Sequence, residues 1–453
     1  MKLSRQPGSS TPDGTRVSAS AAASRPRSAR QLPFRVGGGI ADITPPLDVG
    51  LLMSSVDRKW APFEGVRLPL HARALVVEAE GRRVAVVSLE LLGLSELSMG
   101  GMSRFRQAVI DACGGAVGAQ DVVLTSIHTH SAPETLGLSD LYRTPVFRSW
   151  VDYLASQIAA AIRAGADELR PCSFAVASTV APGLGIHRRI KTTQGVLLSH
   201  PPVPAEIVVS RDGAVDASVH AGVFRDEAGH VVALVVNAAC HPVHEMCIPL
   251  VSPDYPGIMS TALERQFPGA RVLFLNGADG NVNPPTVSGG AAAAEAHGLR
   301  LAEIVDSTLS DACPIEGNGV DLAWASLELP ARTGGDNGTP ASIRTQLAAL
   351  RIGSAAFCFI PGEPFAETGL AIRAQSPFRV TFVVGYAEGS IGYIPTDEAY
   401  RDGGYETGPG AWSPLAPGCE GAIRSKALAL LTSLYNAARL PNAASKPAAS
   451  SVS

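Results

Sequence analysis

Two histidines one residue apart, His128 and His130, follow the apolar run Val122-Val123-Leu124 in the stretch DVVLTSIHTHSAP. At strand spacing, residues i and i+2 face the same side, so both imidazoles can enter one cavity. Imidazole is a common transition-metal ligand, and paired histidines at a strand end present it well. The plainer alternative is two polar residues capping a turn. Three further apolar runs end on polar residues of the same kind. Val231–Asn237 leads to Cys240-His241-Pro242, Ala355–Ile360 to Pro361-Gly362-Glu363, and Val380–Val384 to the loop that carries Tyr393. Two histidines, a carboxylate and an open position suit a catalytic zinc, with a phenol as a further protein ligand. Each residue also has a structural alternative. His241 could occupy a buried turn before Pro242, Glu363 could accept loop amides, and Tyr393 could be ordinary core.

These residues need a sheet to carry them. Leu70–Val77 and Arg83–Leu89 read as adjacent strands joined by the turn Glu80-Gly81. Ser173–Ala177, Ala205–Val209, Ala221–Phe224 and Arg271–Leu275 read as further strands. Helices are expected over Ser95–Cys113, Trp150–Ala164, Tyr255–Phe267, Ala291–Leu309 and Ala422–Leu440, and in Trp150–Ala164 the apolar positions recur at three and four residues. The expected fold is α/β (α+β): one large domain over about 33–440, with central mixed β-sheets flanked by helices and a metal site at the strand ends. No internal repeat is visible. Binding residues commonly sit at strand termini and in the following loops of such folds.

Composition narrows the function. The 453 residues are 46% hydrophobic and 17% charged, with net charge −4. No basic run interleaved with aromatics points to nucleic acid. No apolar stretch approaches the ~20 residues that span a bilayer. The first 32 residues, rich in Ser, Ala, Arg and Pro, lack the apolar core of a secretory signal and predict a disordered tail, with a cytoplasmic location as the default. Residues 441–453 predict a second disordered tail. Seven scattered cysteines argue against a disulfide framework. Cys240, His241, His244 and Cys247 have a CHxxHxxC spacing, but it is only half of a structural zinc site. The loop Gly334–Ala341 could form a lid, and a homo-oligomer stays open.

Several segments, in order, resemble the catalytic domain of the neutral/alkaline, non-lysosomal ceramidases: GGGIADITPP, LHARALVVE, VAVVSLELL, TSIHTHSAP, NAACHPVHE, VSPDYPG, LNGADGNVNP, PGEPF and GYIPTDEAY with GGYE. The resemblance implies an amidase with one Zn2+ per chain, held by His128, His241, Glu363 and Tyr393. It places His130, Arg188 (a loose match in GIHRR), Tyr405 and Tyr400 around the reacting group. Zinc would lower the pKa of a bound water and polarise the amide carbonyl. Tyr405 or His130 could stabilise the oxyanion, and His130, whose titration range fits neutral pH, could protonate the amine. Where the family has a serine with a catalytic part, this chain has Asn283. An amide cannot be a covalent nucleophile, so the implied attack runs through water, with Asn283 as a hydrogen-bond donor. The family's C-terminal immunoglobulin-like domain has no counterpart, and neither does its usual signal. The implied partner is a small-molecule N-acyl amide, ceramide-like or smaller. The alternatives are an ester or lactone hydrolase, an acyl transferase, or a catalytically inactive ceramidase-like binding protein.

Overall fold

One pattern occurs three times along the chain: three antiparallel strands, a helix, a fourth strand parallel to the third, and a closing helix. The computed structural model describes residues 32–49, 52–53, 60–246, 248–332 and 341–439. The first repeat comprises strands Phe34–Asp42, His71–Ala79 and Arg82–Leu89, helix Met102–Cys113, strand Val122–Ser126 and helix Pro145–Asp167. The second comprises Arg170–Val180, Ser218–Arg225 and Val231–Ala238, helix Asp254–Gln266, strand Arg271–Asn276 and helix Ala291–Thr308. The third comprises Val320–Pro330, Ser342–Ile352 and Ala355–Phe359, helix Ala366–Gln375, strand Val380–Val384 and helix Cys419–Arg439.

Antiparallel pairing of Phe34 with Cys172 joins the first two repeats into one continuous sheet, while the third forms a four-stranded sheet of its own. Strand alternation gives each sheet two buried faces. In His71–Ala79, Leu75 and Val77 join a core shared with Phe357, Phe359 and Phe382 of the other sheet. Ala74 and Val76 face the opposite way, onto Leu154, Ile158 and Ile162 of helix Pro145–Asp167. The second repeat covers its outer face with Tyr255, Met259, Leu301 and Val305, and the third with Ile372, Ile423 and Leu431. Helices thus flank a pair of facing sheets. Gly39 of GGGIADITPP lies against helix Pro145–Asp167, where an added Cβ would sit 1.9 Å from the carbonyl oxygen of Ala161.

The repeat is carried by backbone pairing, with different apolar side chains filling each copy, which is why no sequence repeat shows it. The helix expected over Ser95–Cys113 breaks at Gly100-Gly101, both with positive φ, into Glu96–Met99 and Met102–Cys113. The strand expected over Ala205–Val209 is a 3-10 turn, Ala205–Ile207, and a short strand Val208–Ser210, because three prolines at 201, 202 and 204 precede it. The long hairpin Val320–Pro330/Ser342–Ile352 had no place in the sequence reading. Both expected tails, apart from Leu32, and residues 334–340 of the expected lid lie outside the described residues. No described helix is long and apolar enough to cross a membrane.

Candidate metal centre and active site

The fourth strands of the three repeats end against one another. Ser126 N donates to Tyr386 O at 3.1 Å, Gly385 N to Asn276 O at 3.0 Å, and the Asn276 amide to Ile127 O at 3.0 Å. The third strands finish at the same end, so six corners surround one point. His128 and His130 come from a turn rather than from strand alternation. The strand stops at Ser126, and His128 has φ +73°. The rings still converge, with their Nε2 atoms 3.2 Å apart.

His128 and His241 are each oriented by the nitrogen that faces away from that point. His128 Nδ1 lies 2.6 Å from Leu92 O, and His241 Nδ1 lies 2.9 Å from Asp279 O. A carbonyl oxygen can only accept, so both Nδ1 atoms carry the proton and both Nε2 lone pairs point inward. Glu363 Oε2 lies 3.5 Å from His128 Nε2 and 3.4 Å from His241 Nε2, is buried, and has no hydrogen-bond partner. The oxygen side comes from the third repeat, where Glu363 and Tyr393 sit opposite each other in a short parallel pair. Among the described residues, His128, His130 and His241 form a group whose ligand atoms lie within 4.8 Å of one another.

Two inward lone pairs and a partnerless carboxylate oxygen around one point form a donor set that fits a cation. Burial, with neighbouring positive charge, holds His128 and His241 well below the usual imidazole range. Burial pushes Glu363 up to about 8 against the opposing Arg188, so without a cation this carboxyl keeps its proton at neutral pH. Arg188 Nη1 lies 3.1 Å from His241 Nε2, a contact that a cation on His241 would displace.

Arg188 is itself fixed. Its Nε donates to Glu406 at 2.8 Å and its Nη1 to Asn283 Oδ1 at 3.3 Å, while Arg189 donates to the other Glu406 oxygen at 2.6 Å. Glu406 is fully buried between the two guanidiniums, which hold its carboxyl below the ordinary range against the cost of burial. Beside this network opens a cavity of about 530 Å³. Its polar wall includes His130, Arg188, Asn283 and Tyr405, and its apolar wall Val196, Leu198, Val203, Val243, Met246 and Val287. A larger cavity of about 750 Å³, between Cys313–Gly317 and Arg439, contains none of these residues. Volume is the poorer guide here, because the unsatisfied polar groups converge at the smaller cavity.

The structure brings His128, His130, His241, Glu363, Tyr393, Arg188, Asn283 and Tyr405 to one place. It does not bring Tyr400, whose hydroxyl donates to Leu415 O at 2.7 Å and which does not line the cavity. Nor does His130 titrate near neutrality as expected. Burial, then Arg188, lower it to about 3, so the ring is neutral at pH 7. The CHxxHxxC cluster is no zinc knuckle. His241 turns to the centre, His244 Nε2 lies 2.9 Å from His297 Nδ1, and Cys240 donates to Leu184 O; Cys247 lies outside the described residues. Sequence reasoning missed Glu406, which lies in the GGYE segment, and Asp279 and Tyr386 beneath the histidines. The Leu92 carbonyl left no signal, being a backbone group.

Three comparisons bear on this geometry. The chain matches no family profile. Over 278 residues it is 28% identical to the neutral ceramidase of Pseudomonas aeruginosa, an alignment covering 58% of this chain and 39% of that protein's length. The crystal structure of the neutral ceramidase from Pseudomonas aeruginosa superposes with a TM-score of 0.73 at 19% identity, covering 92% of this chain and 76% of that one. These likenesses support a neutral ceramidase-like family. A structure described as a ceramidase complexed with C2 gives a TM-score of 0.72 at 18% identity, over 92% of this chain and 77% of that one, and so shares the fold. The chain thus spans 39% of the length of the curated relative it matches. The three-histidine group lies at the corner-bearing end of this ceramidase-like fold and is compatible with a metal site.

Proposed function

We propose that this chain is a zinc-dependent amidohydrolase that cleaves an N-acyl amide, ceramide-like or smaller, with His128, His241, Glu363 and Tyr393 as the metal ligands. The observation that carries this reading is the pair of inward Nε2 lone pairs facing the partnerless Glu363 oxygen. A zinc ion held there supplies Lewis acidity and makes water a usable nucleophile at neutral pH.

The chain's own residues do the rest. Arg188 Nη2 is buried and lacks a hydrogen-bond partner on a side chain that lines the cavity, so it is available to the developing acyl oxyanion. Glu406 and Asn283 hold that guanidinium in place before substrate arrives. Tyr405, stacked on Trp412 at 5.6 Å, stands at the same wall as a second donor. His130 enters the reaction neutral, because burial beside Arg188 opposes its charging; it can relay a proton to the amine but not store one. Asn283 positions rather than attacks. The apolar wall is suited to an acyl chain.

The purified chain should release fatty acid from an N-acyl amide, stop when a chelator removes the metal, and recover with added zinc. No acyl release by the metal-loaded chain would leave the inactive, ligand-binding reading in its place. Faster cleavage of a matched ester would reassign the bond, not the site.

A further inference from the structure

We propose that Asp279 and Tyr386 form a positioning pair that ties His241 to His128 and so sets the metal affinity of the centre. The inference rests on the zinc reading above and extends it to two side chains that touch neither the proposed substrate nor the metal.

The three corners that follow the fourth strands supply corresponding residues. His128 lies two positions past Ser126, Tyr386 two past Val384, and Asp279 three past Asn276. They form a continuous chain beneath the site. The Tyr386 ring stacks on the His128 ring with centroids 4.1 Å apart and planes at 21°. The Tyr386 hydroxyl donates to Asp279 Oδ1. Asp279 Oδ2 lies 3.5 Å from His241 Nδ1, the nitrogen that already donates to the Asp279 carbonyl at 2.9 Å. That Oδ2 is fully buried and has no hydrogen-bond partner of its own. A buried carboxylate oxygen without a partner is costly to keep, unless it complements charge drawn onto the adjacent imidazole.

Histidines that hold metals usually give their remaining N–H to a carboxylate or a carbonyl, and those partners tune affinity. Here Asp279 presents both groups to one histidine, and Tyr386 relays its position to the other. The backbone pins the phenol. Tyr386 has φ +55°, accepts from Ser126 N, and donates to Gly362 O at 2.9 Å, one residue before Glu363. Tyr386 therefore touches the corners that carry His128 and Glu363, while its hydroxyl reaches the residue behind His241. Displacing it disturbs three of the proposed ligands together.

The test is a zinc-affinity measurement on the full chain by competition with a chromophoric chelator. The variants are Tyr386→Phe, Asp279→Asn and their double, with the melting temperature of each metal-free chain measured alongside. Tyr386→Phe keeps the stacked ring and loses only the hydroxyl, so it decides the matter even if Asp279→Asn fails to fold. Each single variant is expected to bind zinc about 10- to 100-fold more weakly. The double should be no weaker than the poorer single, because both cut one connection. Tyr386→Leu, which also removes the stack, should lose more. Wild-type zinc affinity in Tyr386→Phe overturns the inference. So does a metal-free melting temperature that falls in proportion to the affinity, which would mark a merely structural role. A wild-type chain that binds no zinc overturns the proposed function, and this inference with it; a wild-type chain that binds while the variants bind equally well overturns the inference alone.

Discussion

The nitrogen half of the centre and its oxygen half are built differently. His128, His130 and His241 stand on the first two repeats, which share one continuous sheet. Glu363 and Tyr393 stand on the third, whose four strands form a separate sheet. The nitrogen half is fixed by hydrogen bonds to backbone, through Leu92 O and Asp279 O. The oxygen half depends on the docking of one sheet against the other through the shared aromatic and aliphatic core. A cation at the centre would join the two halves, so the same site is both the chemistry and a clasp between sheets.

That contrast can be broken at several points. The largest effect is expected at Glu406, which belongs to the third repeat but neutralises Arg188 and Arg189 from the second. Glu406→Ala leaves two buried guanidiniums without their shared carboxylate and should cost about 3–5 kcal/mol in a denaturant melt. A loss below about 1 kcal/mol would show that the link between the halves is not electrostatic. Next comes Arg188→Lys, which keeps the charge but loses the fork that reaches Glu406 and Asn283 together. Its turnover should fall about 10²- to 10³-fold while zinc content stays at the wild-type value. Loss of zinc with turnover would move Arg188 from the reacting group to the metal.

A smaller effect separates the buried histidines from the buried carboxyls by pH in the metal-free chain. The buried histidines of the nitrogen half and its surroundings are held neutral, His130 and His297 at about 3 and His220 and His244 at about 4. Below their ordinary value of 6.5 the unfolded chain binds more protons at these sites than the folded one, so stability rises with pH up to about 6.5. Glu363 at about 8, with Asp254 and Asp279 at about 7, behaves in the opposite sense. The folded chain binds more protons there between the ordinary carboxyl range and pH 7–8, so that contribution is lost as pH rises through the window. The metal-free melting temperature should therefore peak near pH 6.5 and decline towards pH 8. Glu363→Gln should flatten the decline and leave the acid limb intact. A curve that rises steadily through pH 8 would show that the carboxyls are not held protonated. The smallest effect is expected at Tyr400→Phe, which removes one hydrogen bond to Leu415 O. It should cost about 1 kcal/mol of stability and leave turnover within about twofold, whereas Tyr405→Phe, at the cavity wall, should slow turnover beyond that.

Much of the frame was legible because strands covered on both faces read as unbroken β-branched and aliphatic runs, as in Val231–Asn237 and Val380–Val384. The polar residue that follows such a run is conspicuous, and His241 and Glu363 were legible for that reason. His128 and His130 were legible through a wrong mechanism, strand alternation, where a left-handed turn does the work. Tyr400 was drawn in by the family resemblance, yet the short helix Asp397–Asp402 turns its hydroxyl to Leu415. The threefold repeat stayed hidden because hydrogen-bond pairing is indifferent to which apolar side chain fills a position. Asp279 and Tyr386 stayed hidden because neither is remarkable alone. Their meaning comes from two corners more than 100 residues apart meeting beneath the histidines.

The central claim is that the two sheets close around a single zinc. The direct measurement is elemental analysis of the purified chain beside a variant that removes one ligand from each half, His241→Ala with Glu363→Ala. About one zinc per wild-type chain is expected, and none in the folded double variant. Full zinc occupancy in that variant, or a folded wild-type chain that takes up no zinc, would contradict it.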